Sequence, residues 1–208
     1  MHLLAHRGLW NAPGEQNTLA ALSRALLGGH GIETDLRPLA GSVVLSHDPP
    51  ASGAQLTSLT DLVEYAEQYL PDHSMLALNI KADGLAEQCL SAVSRIQDRV
   101  FFFDMSAPEL LRYLDIGLPV FARQSDVERK PICYEAAKGV WLDELREPWI
   151  RTDDIRRHLA SGKRVAVVSS ELHGRTHRAL WQLLLPFAAE RYVMLCTDLV
   201  DEAEAFFA

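Results

Sequence analysis

Two histidines, two carboxylates and an arginine sit in the first quarter of the chain, at places where side chains can do chemistry. His6-Arg7-Gly8 ends the apolar run from Met1 to Ala5, Glu33-Thr34-Asp35 ends a second extended run, and His47-Asp48 ends a third. Imidazoles titrate near neutrality, so a pair of them can exchange a proton with an oxygen leaving group. Glu33 and Asp35 are two apart on an extended segment, which puts both side chains on one face. Their hard oxygens suit Mg²⁺ or Ca²⁺ better than zinc, and a cation held there polarises a phosphoryl oxygen. Arg7 can fork onto two phosphate oxygens. The combination points to metal-assisted cleavage of a phosphodiester. Singly, each group has a plainer reading: an ion pair for Glu33 or Asp35, a hydrogen-bonded core histidine for His6, a surface charge for Arg7.

These groups need a scaffold that brings strand ends together. The chain has 208 residues, enough for one sizeable core, and nothing in its composition asks for a second, so residues 1–208 read as a single domain. Short β-rich runs alternate with helix-period segments throughout, the mark of a parallel sheet built from βα units. Eight main strands are predicted: Leu3–His6, Gly31–Asp35, Leu76–Ile80, Val100–Phe103, Pro119–Ala122, Val140–Leu142, Val165–Val168 and Tyr192–Cys196. Ser42–Ser46 adds a short extended segment turned back at Ala40-Gly41. Helix starts are signalled at Asn17-Thr18, and by Ser-x-x-acid spacings at Ser58, Ser106 and Ser125, the last two opening the fourth and fifth helices. Asp153-Asp154 supplies negative charge to the first turn of a sixth. The fold class expected is α/β, a compact (βα)8 TIM barrel, with an open doubly wound sheet as the alternative. In a barrel the site lies at the carboxyl ends of the strands. That selects His6 and His47, sends His2 and His30 to the opposite mouth, and leaves His73 and His158 as surface residues.

Composition narrows the partners. A formal charge of −8 argues against a nucleic-acid backbone while permitting a small anion bound by local cations. Cys89, Cys133 and Cys196 are odd in number and show no C-x-x-C spacing, so buried reduced thiols are expected. Only Leu3-Leu4-Ala5 precedes His6 as an apolar stretch, and Gln182 and Pro186 interrupt the run from Ala179 to Ala189. No signal segment and no transmembrane segment are expected, and a cytoplasmic location follows.

HRG at 6–8, NTLAAL at 17–22, GIETDLR at 31–37 and VVLSHDP at 43–49 resemble the glycerophosphodiester phosphodiesterase family, within the phosphatidylinositol-phospholipase-C-like phosphodiesterase barrels. LNIK at 78–81, FFFD at 101–104 and CTD at 196–198 continue the likeness in order. The resemblance implies a hydrolase that uses His6 and His47 as its acid/base pair. It also implies one divalent cation on Glu33, Asp35 and Asn79, and a phosphate contacted by Arg7 and Lys81. Three departures stand out: Asn79 replaces the family's third carboxylate, Gln16 replaces the glutamate before N-T-L, and VVSSEL at 167–172 replaces a tryptophan-containing strand ending. An amide oxygen still ligates a hard cation but removes one negative charge. The expected substrate is a small-molecule glycerophosphodiester, cleaved to glycerol phosphate and an alcohol. The departures keep two alternatives open: a barrel that binds a phosphorylated ligand with little turnover, and a phosphodiesterase for a saccharide-linked or lipid-linked diester. The stretch between His47-Asp48 and Asn79 holds little beyond one helix, so no cap over the site is expected.

Overall fold

A computed structural model describes residues 1–208. The strands are β1 (His2–His6), β2 (Gly31–Leu39), β3 (Ser42–Leu45), β4 (Leu76–Ile80), β5 (Val100–Phe103), β6 (Phe121–Ser125), β7 (Gly139–Asp143), β8 (Arg164–Val168) and β9 (Val193–Thr197). The helices are α1 (Leu19–Leu27), α2 (Leu59–Tyr69), α3 (Ala86–Val93), α4 (Ala107–Asp115), α5 (Thr152–Ala160), α6 (Arg178–Leu184) and α7 (Val200–Phe207). Apart from β3, the strands are parallel and run in the order β5-β4-β2-β1-β9-β8-β7-β6. The two ends of that order meet at a parallel bridge between Phe102 and Val120, where the Phe102 amide donates to Pro119 O at 2.9 Å. The sheet is therefore a nearly closed eight-stranded TIM-type barrel, not an open doubly wound sheet.

Strand alternation decides what fills it. Leu4, Ala77, Phe101, Phe103, Phe121, Trp141, Val168 and Cys196 pack together as a cluster inside the barrel. The Phe101 and Phe121 rings stack at 3.7 Å, and those of Phe103 and Trp141 at 3.9 Å. Counting two residues onward from these positions gives the next inward layer: His6 from Leu4, Asn79 from Ala77, Asp143 from Trp141, Asp198 from Cys196. An apolar floor thus carries a polar layer at the carboxyl mouth. Intervening strand residues face outward onto helices, as Ala5, Ile32, Leu36 and Leu78 do against Leu22 and Leu26 of α1 and Leu62 of α2. Each such leucine, fully buried, contributes roughly 1.5–3 kcal/mol.

Local signals mostly act as read. Thr18 caps α1 by accepting from the Ala21 amide, and Ser58 and Asp61 form a reciprocal capping box at α2. Ala40 and Gly41 both have positive φ, as a tight two-residue hairpin demands, and β3 pairs antiparallel with the outer part of β2. Other expectations fail for physical reasons. The predicted fifth helix is absent. Ser125 ends β6, and its Oγ accepts from the Val127 and Glu128 amides in a turn, while Glu128 is drawn off to Arg123 at 2.9 Å. Pro131 and a left-handed Cys133 (φ 54°) then exclude a helix before β7. The sixth strand runs from Phe121 to Ser125, beyond the apolar residues that marked it, because Arg123 and Gln124 find side-chain partners at the mouth and behind the sheet. His158 is buried, not a surface group: it bonds Gln124 Oε1 at 2.8 Å and Tyr134 Oη at 2.9 Å. The cysteines are all free, with Cys89 and Cys196 buried and Cys133 half-buried. No helix is long and apolar enough to cross a membrane.

Candidate active site

The turn after β1 explains why glycine follows His6-Arg7. Arg7 and Gly8 both lie at positive φ (57° and 90°), and a Cβ on Gly8 would stand 2.6 Å from the Ala21 carbonyl carbon. The Arg7 amide donates to Glu33 O and its carbonyl accepts from the Asn17 amide, so the arginine is fixed between β2 and the start of α1. Its Nη1 donates to Gln16 Oε1 at 3.3 Å, so the glutamine at this departure still holds the guanidinium.

Asp35 is the centre of charge pairing. Arg7 Nε lies 3.0 Å from its Oδ2 and Lys81 Nζ 3.3 Å from its Oδ1, while Asn17 Nδ2 donates to Oδ2 at 3.0 Å. Asn17 also accepts from Thr34 Oγ1 at 2.7 Å, and it stands at positive φ to do so. Glu33 is different. It is 2 % exposed, its Oε2 has no hydrogen-bond partner, and its nearest cationic group is His6 Nε2 at 3.9 Å. Burial, then the negative charge of Asp35, push its carboxyl up to about 7. Asn79, paired in register with Asp35, also keeps a buried Oδ1 without a partner, while its Nδ2 donates to Asp104 Oδ2 at 3.4 Å. Two unpartnered buried oxygens beside a carboxylate form an all-oxygen donor set, and such a set fits a hard divalent cation. Nowhere do three His, Cys, Asp or Glu side chains gather as a metal site, so a cation here would rest on two carboxylates and the Asn79 amide.

His6 Nδ1 is 2.8 Å from Asp198 Oδ1, which leaves Nε2 facing Glu33 and the mouth. Burial pulls this imidazole down, but the Asp198 hydrogen bond and the charges of Glu33 and Asp198 outweigh it, so its affinity for a proton is raised. His47 is tied to the same mouth by its backbone. The Ser46 amide donates to Asp35 O, and Arg37 donates to both His47 O at 2.8 Å and Lys81 O at 3.1 Å. Its ring is half exposed and meets Asp48 at 2.9 Å, without contact to the other site groups. The fold thus joins His6 to Glu33 and Arg7 and Lys81 to Asp35, sets Asn79 beside Asp35 in strand register, and leaves His47 at the rim.

Several participants were not legible in the sequence. Asp198 lies 192 residues from the histidine it orients, within a CTD motif read only as a strand ending. Asn17, read as part of a helix cap, serves Asp35 instead. Asp104 and Arg123 pair at 2.7 Å across the weak β5/β6 seam. Other clefts lie away from this mouth. One of about 520 Å³ opens at the amino-terminal end beside His2, His73 and Arg164. The carboxyl mouth is open, and only α2 and its connections lie between His47 and β4.

No protein-family model and no curated protein matches the sequence. Solved structures match the fold over nearly its whole length. A candidate glycerophosphodiester phosphodiesterase from Galdieria sulphuraria superposes with a TM-score of 0.77 at 18% identity, covering 99% of this chain and 97% of that one. The chain has the fold of the glycerophosphodiester phosphodiesterases. The enzyme of that name from Parabacteroides distasonis gives a TM-score of 0.68 at 19% identity, over 99% of this chain and 96% of that one. An Oleispira antarctica phosphodiesterase, solved in complex with the product sn-glycerol-3-phosphate, gives 0.69 at 16% identity, again over 99% and 96%. A glycerophosphodiester phosphodiesterase fold does not by itself carry an activity, so the functional reading rests on the site.

Proposed function

We propose that this protein is a phosphoric diester hydrolase that uses one divalent cation, Mg²⁺ or Ca²⁺, to cleave a glycerophosphodiester to glycerol phosphate and an alcohol. The observation that carries the reading is a pair of unsatisfied buried oxygens, on Glu33 and Asn79, flanking an Asp35 that holds the cations Arg7 and Lys81, with His6 Nε2 3.9 Å from Glu33. A barrel mouth has little reason to bury such groups unless a ligand completes them. The neighbour that holds sn-glycerol-3-phosphate supports a small phosphate ligand for this fold.

Glu33, Asp35 and Asn79 would hold the cation, which when bound acts as a Lewis acid on a phosphoryl oxygen. Arg7 and Lys81, held at the same point by Asp35, orient the phosphate and offset the charge that grows on its oxygens. One histidine takes the proton of the attacking hydroxyl as its oxygen bonds phosphorus, the P–O bond to the alcohol breaks, and the other histidine protonates the departing oxygen. Asp198 keeps Nδ1 of His6 occupied, so proton transfer at His6 runs through Nε2. His47, at the rim, is its partner. The attacking hydroxyl can be water or a neighbouring hydroxyl of the substrate. In the second route the first product is a cyclic phosphate, which water then opens to glycerol phosphate, and its transient signal in phosphorus NMR marks that route.

The test is a panel of glycerophosphodiesters and of saccharide- and lipid-linked diesters, each assayed with Mg²⁺, Ca²⁺ and chelator. Turnover that chelation abolishes and either cation restores is the expected result, with His6→Ala and His47→Ala each losing about 10²–10⁴ in kcat. The neutral Asn79 favours a second reading, binding without turnover. Thermal stabilisation by glycerophosphocholine plus cation, with no choline released, would establish it instead.

A further inference from the structure

On the far side of the mouth stands a second histidine–aspartate pair. His173 Nε2 is 2.6 Å from Asp143 Oδ1. Asp143 ends β7 and points inward, two residues beyond Trp141 of the barrel floor, and is 7 % exposed. His173 ends the short 3-10 turn Ser170–His173 that follows β8, and about a quarter of its side chain is exposed. In the ring of strands, β7 and β8 lie opposite β2 and β4, which carry Glu33, Asp35 and Asn79. Glu171, in the same turn, bonds Thr197 Oγ1 and the Asp198 amide, so the turn is tied to the aspartate that holds His6.

The turn that carries His173 is held rigidly. Glu171 accepts from Ser169 Oγ, from Thr197 Oγ1 and from the Asp198 amide, and Trp181 Nε1 donates to Ser169 Oγ at 2.8 Å. The segment that departs from the family's aromatic strand ending is thus a hydrogen-bonded strap joining β8 to β9. It ends in His173, whose imidazole it sets beside Asp143 at the end of β7. With Nε2 committed to Asp143, Nδ1 has no protein partner.

We infer that His173, oriented by Asp143, forms a hydrogen bond through Nδ1 to a hydroxyl on an organic arm of the diester. His173 is thereby the group through which the site tells a hydroxyl-bearing arm from an alkyl one. This rests on the phosphodiester reading and goes beyond it by naming the residue that reads the hydroxyl of the arm. β7 and β8 stand across the Phe103–Trp141 floor from β2 and β4, so an organic arm of a phosphate held by Arg7 and Lys81 would lie between the two sides. A site group built to bond a hydroxyl rejects an analogue that lacks one, because the polar group is then left unpaired.

The probes are glycerophosphoglycerol, which carries hydroxyls on both arms, and diethyl phosphate as a competitor that carries none. His173→Ala should raise KM for glycerophosphoglycerol about 10- to 100-fold, the loss of one buried hydrogen bond, with kcat held within about threefold and diethyl phosphate inhibition unchanged. Two isosteric variants separate ligand contact from support of the fold. Glutamine places an amide where Nε2 lies, so His173→Gln should keep the Asp143 bond and the melting temperature yet lose the polyol preference. Asparagine places one where Nδ1 lies, so His173→Asn should recover part of that preference. Unchanged KM in His173→Ala overturns the inference. So does an equal loss for both probes, which marks a structural role. If the unaltered protein neither cleaves glycerophosphoglycerol nor is thermally stabilised by either probe with Mg²⁺ or Ca²⁺, the phosphodiester reading fails and takes this inference with it.

Discussion

Replacing Asp198 with asparagine should lower kcat about 10- to 150-fold without unfolding the protein. The figure follows from one contact. His6 Nδ1 and Asp198 Oδ1 are 2.8 Å apart, with the imidazole 17 % and the carboxylate 25 % exposed, so the bond is only weakly screened. A hydrogen bond to a charged group contributes about 1.5–3 kcal/mol, and each ~1.4 kcal/mol is tenfold in rate. Asparagine is nearly isosteric but can turn its amide donor toward the ring, which favours the tautomer with the Nε2 proton misplaced. It also removes the hydrogen bond and the charge that raise the affinity of His6 for its proton. The pH–rate limb belonging to His6 should therefore move to lower pH, while His6→Ala loses more rate than Asp198→Asn because it removes the proton carrier itself. The assay is kcat against pH on the best substrate of the diester panel, with circular dichroism to verify the fold. A kcat within threefold of the unaltered enzyme and an unmoved limb would refute the claim that Asp198 orients a catalytic imidazole.

Other outcomes are equally specific. Glu33, raised to about 7 from an ordinary 4.5, stabilises the cation-free fold fully below pH 4.5 and loses that contribution as pH rises toward 7. A cation needs the carboxylate, so binding should release more protons at pH 6 than at pH 8; calorimetry in buffers of different protonation enthalpy measures this, and equal release would contradict it. Asn79→Glu should tighten Mg²⁺ or Ca²⁺ binding by adding a third negative charge, and Asn79→Ala should weaken it by removing an oxygen. Unchanged affinity in both would place Asn79 outside the coordination set. Gly8→Ala combines a positive φ with a Cβ 2.6 Å from the Ala21 backbone, so urea titration should show a loss of about 2–5 kcal/mol. A loss under 1 kcal/mol would mean that the turn after β1 is less constrained than its geometry indicates.

The sequence by itself determined the elements and the half of the site that is local to them. Alternating apolar runs ending in His6, Glu33-x-Asp35 and Asn79 placed these side chains at strand ends, and the two-residue period put Glu33 and Asp35 on one face. The Thr18 and Ser58 caps were legible because their bonds close within three residues. Ser125-x-x-Glu128 carried the same local signal and misled, because Arg123 takes Glu128 and Pro131 denies the following residues a helix. Only the tertiary structure decided which charges meet. Strand pairing, β1 with β9 and β7 with β8, brings Asp198 to His6 and Asp143 to His173, pairs separated by 192 and 30 residues, and no local periodicity encodes such contacts. It likewise turned Asn17 from an expected cap into a partner of Asp35, and buried His158 against Gln124. Secondary structure follows from patterns a few residues long, whereas pairing between strand ends depends on the order and register of eight strands around a ring.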